Sequence, residues 1–132
     1  MKYASGLSRD PEATYRQIDA AGRTAQADGP ALVQLLYEEL VNALRAAAWA
    51  ADHKQFAVKS EKVTRAIAIL FALEAGLDFE AGGEVAHTLA TLYTGARKTI
   101  IEASVDGGSH TFRDVATSMD EIAAAWRQAR NA

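Results

Sequence analysis

The 132-residue chain contains no cysteine, which excludes disulfide frameworks, thiolate zinc sites and cysteine nucleophiles, and fits a reducing compartment. Proline is scarce: Pro11 and Pro30 are the only two, so nothing after Pro30 blocks a helix. No apolar run is long enough for a membrane span. The start, Met1-Lys2 and then mixed polar residues, offers no signal-peptide core. The expectation is a soluble cytoplasmic domain without membrane insertion. A basic excess is also missing: 14 Lys and Arg against 17 Asp and Glu leave a net charge of -3, so nucleic acid is not an expected partner. There is no glycine-rich phosphate loop, no G-x-S-x-G elbow and no Walker sequence. The adjacent carboxylates Glu38-Glu39 and Asp120-Glu121 do not face each other on a helix and read as solvated faces. No catalytic residue, metal or cofactor is assigned, and an enzyme is not expected.

What the chain has in plenty is alanine, 29 of 132 residues, the strongest helix former. Glycines cut it into segments at Gly29, Gly76, Gly82-Gly83 and Gly107-Gly108. Four long helices are predicted, over 31–52, 55–75, 84–106 and 110–130, with a shorter one near 12–23. Pro30 suits a first helical turn, and Asp78 and Ser109 are candidate caps of the third and fourth long helices. Short connections between helices of similar length predict an all-α fold, an antiparallel up-down four-helix bundle over 30–132. Residues 1–29 form an arm carrying a short helix.

The apolar pattern differs between helices. On the third, Val85, Leu89, Leu92, Ala96 and Ala103 make one stripe; on the fourth, Phe112, Val115, Met119, Ile122 and Trp126 make another. Both read as core seams. The first long helix carries two stripes side by side: Leu32, Leu36, Leu40, Ala43 and Ala47, then Val33, Tyr37, Val41, Leu44 and Ala48. The second spreads its apolar residues, from Phe56 through Ile69, Phe71 and Leu73, over an arc of roughly 200°. That exceeds what neighbours in a small bundle need, so the N-terminal arm, a second copy in a homodimer, or a partner must cover the surplus. Tyr15 and Ile18, three apart in the arm, are candidate covers.

His53, His87 and His110 are too far apart for a zinc-helix signature. Glu84-Val85-Ala86-His87 matches one Glu-x-x-His unit of carboxylate-bridged di-iron bundles. Such a site needs two units, and His87 lies off the seam. Ala86-His87-Thr88-Leu89 is similar to the phosphoacceptor motif of histidine phosphotransfer domains, which are four-helix bundles too. The Lys and Gly that usually follow are Ala90 and Thr91 here. A phosphotransfer domain using His87 is the alternative function; a solvated surface histidine is the plain reading.

Longer segments carry a different resemblance. Pro30-Ala31-Leu32-Val33-Gln34-Leu35-Leu36-Tyr37-Glu38, Arg65-Ala66-Ile67-Ala68-Ile69-Leu70, Gly76-Leu77-Asp78-Phe79-Glu80-Ala81-Gly82-Gly83-Glu84-Val85-Ala86, Leu92-Tyr93 and Ala125-Trp126-Arg127 occur in one order and spacing. Together they resemble the flagellar secretion chaperones of the FliS type, from about Tyr15 to Ala129. Two places depart: Thr94-Gly95-Ala96 stands where the family usually has Asp-Tyr-Met, and Glu38-Glu39-Leu40 where it has Asp-Gly-Ala. The resemblance implies a cytoplasmic, non-enzymatic chaperone. It would hold the disordered C-terminal segment of flagellin, prevent premature polymerisation and deliver the client to the export gate, with no cofactor. It also gives the surplus arc a use, as a client groove formed by Val33, Tyr37, Val41 and Leu44 with Ile69 and Leu73. Tyr15 and Ile18 would guard or complete it.

Overall fold

The computed structural model describes residues 29–106 and 108–131. The expected arm, with Tyr15 and Ile18, lies outside the described residues. Within them are four helices and no strand: α1 (Gly29–Asp52), α2 (Phe56–Ala75), α3 (Phe79–Asp106) and α4 (Ser109–Asn131). These bounds agree with the predicted helices to within a few residues, the largest difference being at the start of α3.

Local chemistry explains the ends. At the end of α1, the Gln55 N–H donates to the Ala50 carbonyl (2.9 Å) and the Lys54 N–H to that of Ala51 (3.3 Å). This is the paired closure of a Schellman turn, and Lys54 takes the left-handed position (φ 56°) where glycine is usual. Asp78 caps α3 as expected, its Oδ1 accepting from the N–H groups of Glu80 (3.1 Å) and Ala81 (3.0 Å). α3 then breaks at Gly83 (φ 53°, ψ -128°), a conformation glycine adopts freely, so its regular part begins where the sequence predicts, at 84. Ser109 is a correction. The Gly108 carbonyl accepts the Thr111 and Phe112 N–H groups, and the Ser109 hydroxyl is committed to Asp52 of α1.

The helices form an antiparallel bundle in which α1 packs against α2 on one side and α4 on the other, while α3 touches α2 and α4 more sparingly. Three ion pairs mark the α1–α4 register: Glu38–Arg127 (3.9 Å), Arg45–Asp120 (3.7 Å) and Asp52–Arg113 (2.5 Å). Each step of seven residues along α1 matches seven residues back along α4. The core is built from Leu36, Leu40 and Leu44 of α1, Leu70 of α2, Ile100 of α3, and Phe112 and Met119 of α4. The α4 seam lies as expected, with Phe112 and Met119 buried and Val115, Ile122 and Trp126 packed against it. The α3 seam holds except at its first residue: Ala96 and Ala103 are buried and Leu89 and Leu92 pack against the core, Val85 is exposed, and Ala86, Tyr93 and Ile100 join the seam. Ala103, five turns on from Val85 at the same helical angle, is buried, so Val85 is open because of its place beside the Gly83 break and not because of its face.

Candidate functional site

Five of the six groove residues expected on the two helices are in the core instead. Tyr37 and Leu44 are fully buried, and Val41, Ile69 and Leu73 nearly so. The reason is the central place of α1, which buries eleven of its 24 residues. A helix flanked on both sides needs both of its apolar stripes, so the apparent surplus is consumed. Val33 alone among the six stays half-buried and packs on the rim of the core.

Tyr37 has a specific task there. Its hydroxyl lies 2.5 Å from that of Tyr93, across the bundle from α1 to α3, and also bonds the Trp126 side chain of α4. The indole has only an N–H to offer, so it donates to the Tyr37 oxygen. Burial pushes the Tyr37 hydroxyl above its ordinary pKa, and the two hydrogen bonds oppose this in part. Tyr37, Tyr93 and Trp126 each belong to a segment that carries the family resemblance. Folding joins them into one polar cluster, the two tyrosines buried and Trp126 partly buried at its edge.

The exposed apolar surface is elsewhere. Near the α2–α3 turn, Phe71 and Phe79 are 55% and 42% exposed and Val85 is 67% exposed. Phe71, Leu77 and Phe79 line a shallow groove of about 420 Å³ with Glu74, Ala75 and Arg97. Arg97 forms one wall: its guanidinium lies 3.9 Å from the centre of the Phe71 ring and bonds Glu74 at 2.6 Å. An aromatic floor beside a fixed charge pair suits an apolar side chain from a partner. Sequence reasoning included Phe71 in the wide arc of α2 but chose Ile69 and Leu73 as the open residues. The available signal was that Phe71 shares its stripe with small or polar residues, Thr64, Ala68 and Ala75, all of which are exposed.

Further along, α3 carries a second shallow depression, about 380 Å³, lined by Ala90, Thr91, Thr94 and Gly95. A Cβ atom at Gly95 would meet nothing within 4 Å. At the far end, Phe56, Ile101 and Val105 are exposed. Lys59 ties this end together, donating to the Ser104 carbonyl in the last turn of α3 (2.8 Å) while lying 5.5 Å from the Phe56 ring centre.

His87 is exposed, as expected, and its ring packs on Phe79 at 4.7 Å. Among the described residues no group of three or more His, Asp or Glu side chains is placed to hold a metal. No helix among them is long and apolar enough to cross a membrane.

Comparison with known proteins bears on the whole bundle. The family profile of the flagellar protein FliS matches residues 11–132. The flagellar secretion chaperone FliS of Salmonella typhimurium is 29% identical over 129 residues, covering 97% of this chain and 92% of its own length. FliSB of Pseudomonas aeruginosa is 28% identical over 112 residues, 85% of this chain and 89% of that protein. FliS of Campylobacter jejuni is 30% identical over 100 residues, 76% and 78% respectively. A match spanning all four helices, on a bundle whose Tyr37–Tyr93–Trp126 cluster comes from the resembling segments, leaves one conclusion: the chain belongs to the FliS family of flagellar secretion chaperones, and not to an enzyme family.

Proposed function

We propose that the protein is a cytoplasmic export chaperone for flagellin. It binds the disordered C-terminal segment of its client, keeps that segment from polymerising early, and hands it to the flagellar export gate. The observation that carries this reading is the exposed apolar face of α2 and α3 on a bundle of the FliS family. A soluble domain that leaves Phe71, Phe79 and Val85 open to solvent gains most by covering them with a partner. A disordered client folds as it binds, so affinity is moderated by the ordering entropy, which suits a complex that must later release its cargo. Val33 at the rim, with Tyr15 and Ile18 of the arm, adds to the client surface. Tyr37, Val41, Leu44, Ile69 and Leu73 act on it from beneath, by fixing where α1 and α2 stand. No nucleic acid, cofactor or second copy of the chain is needed.

Calorimetry with intact and C-terminally truncated flagellin tests this. The expected result is a 1:1 complex with a negative heat-capacity change and an unfavourable entropy, lost on truncation. Equal binding of the truncated client removes the reading.

A further inference from the structure

The outer side of α3 carries a regular stripe that the bundle does not use. Thr91, Thr94, Gly95, Lys98, Ile101, Glu102 and Val105 are all exposed, on the side of the helix opposite the buried Tyr93 and Ile100. Their spacing of three and four residues makes one straight seam about 21 Å long. One end is apolar and open, with Ile101 52% and Val105 84% exposed. The other end is the shallow depression at Thr91, Thr94 and Gly95. Between them lie Lys98 and Glu102, bonded to each other at 3.2 Å with both side chains mostly in solvent.

This pattern is complementary to itself when one copy is turned end for end. Two antiparallel α3 helices that cross at the height of Ile100 set Val105 of each copy over the diamond of Thr91, Thr94, Gly95 and Lys98 of the other. That is a knob-into-hole contact, and the missing side chain at Gly95 makes room for it. In the same register Lys98 faces the partner's Glu102, twice by symmetry, and Ile101 meets its own counterpart at the centre. A parallel pairing in register would set lysine on lysine and glutamate on glutamate, which repulsion disfavours. Four turns of one helix cover less than the roughly 800 Å² per partner of a standard stable interface, so the pairing is weak and depends on concentration.

We propose that the chain pairs with a second copy of itself through the outer stripe of α3, antiparallel, with Val105 of each copy in the Gly95 depression of the other. The consequence for the client rests on the flagellin reading. The seam borders the exposed apolar face of α2 and α3, so pairing covers part of that face and a client must displace the second copy. Chaperone in excess of its client thereby shields its own apolar surface.

Sedimentation equilibrium of the full chain, from about 1 to about 500 µM, tests the pairing without any client. Gly95→Leu fills the depression and replaces an exposed helix-interior glycine, so its melting temperature stays level or rises. Lys98→Glu leaves only carboxylates at the centre of the seam, and adding Glu102→Lys restores the complement in reverse. Thr117→Leu, on the exposed side of α4, is the control. The expected result is a monomer–dimer equilibrium, at least tenfold weaker in Gly95→Leu and Lys98→Glu, recovered to within about threefold in the charge-swapped double variant, and unchanged in Thr117→Leu. Because the chain has no cysteine, Ile101→Cys supplies a single thiol, and mild oxidation should join two copies through it. A chain that stays monomeric throughout, a dimer indifferent to Gly95→Leu and Lys98→Glu, or one that the double variant does not recover, overturns the proposal. Adding the C-terminal fragment of the flagellin from the same organism should convert the dimer to a 1:1 complex. A complex that keeps the dimer overturns the displacement, and a fragment that does not bind overturns the flagellin reading while the pairing stands.

Discussion

Tyr37 shows how a single residue can be seen in the sequence and still be misjudged. Its position on an apolar stripe was plain, but its hydrogen bond reaches Tyr93, 56 positions away, and no local pattern carries that information. The consequence is testable. Tyr37→Phe keeps the ring and removes the oxygen, so the buried hydrogen bond to the Tyr93 hydroxyl is lost; the variant should lose about 1–3 kcal/mol of stability, the usual cost of an unmade buried hydrogen bond. Urea midpoints measure this, and client affinity should stay within twofold because the hydroxyl faces the core. Asp52 offers a pH test. Hydrogen bonds from Arg113 and Ser109 hold its carboxyl below the ordinary aspartate range. A lowered folded-state pKa means that its stabilisation is present above the unfolded value of about 3.9 and is lost as pH falls below it. Asp52→Asn should therefore be less stable than the natural chain at neutral pH, and the difference should shrink on acidification. A constant gap down to pH 3 would show that the charge is not involved.

Helix by helix, the bounds were largely legible because proline, glycine and Asp78 act locally. The rotation of each helix was less so. On α3 the seam of Leu89, Leu92, Ala96 and Ala103 holds, but Val85 is exposed and the seam widens to take in Tyr93 and Ile100. The α1–α4 pairing shows another kind of hidden order. Charges alternate in steps of seven, Glu38, Arg45 and Asp52 on α1 against Arg127, Asp120 and Arg113 on α4. A slip of one heptad would put Glu38 beside Asp120 and Arg45 beside Arg113. This matters because the second half of α1 buries alanines, Ala43, Ala47, Ala48 and Ala50, which interlock weakly and would tolerate sliding. Each pair is half-exposed and contributes only about 0.2–1 kcal/mol, so the ladder acts on register more than on total stability. Arg45→Glu should lower stability by up to about 1 kcal/mol, and adding Asp120→Arg should restore most of it in a double-mutant cycle read by thermal melting. Additive losses would show that the pair does not interact.

For the molecule as a whole, fold class and family were readable from the chain, because helix punctuation and the order of the motifs do not depend on tertiary detail. The exposed apolar face was not. Choosing between Ile69 and Phe71 requires knowing which neighbours α2 has, and the answer inverts the expected pattern. The resembling tyrosines Tyr37 and Tyr93 lie in the interior with Trp126 packed at its edge, while the exposed apolar surface of α2 and α3 is made largely by phenylalanines, with small residues around Gly95. Hydrogen exchange of the full chain, with and without the flagellin C-terminal fragment, tests this division most directly. The account predicts added protection on binding across 60–75 and 87–105, in α2 and α3, with the outer face of α4 unchanged. Protection concentrated in α1 and α4, with none in α2 and α3, would contradict it.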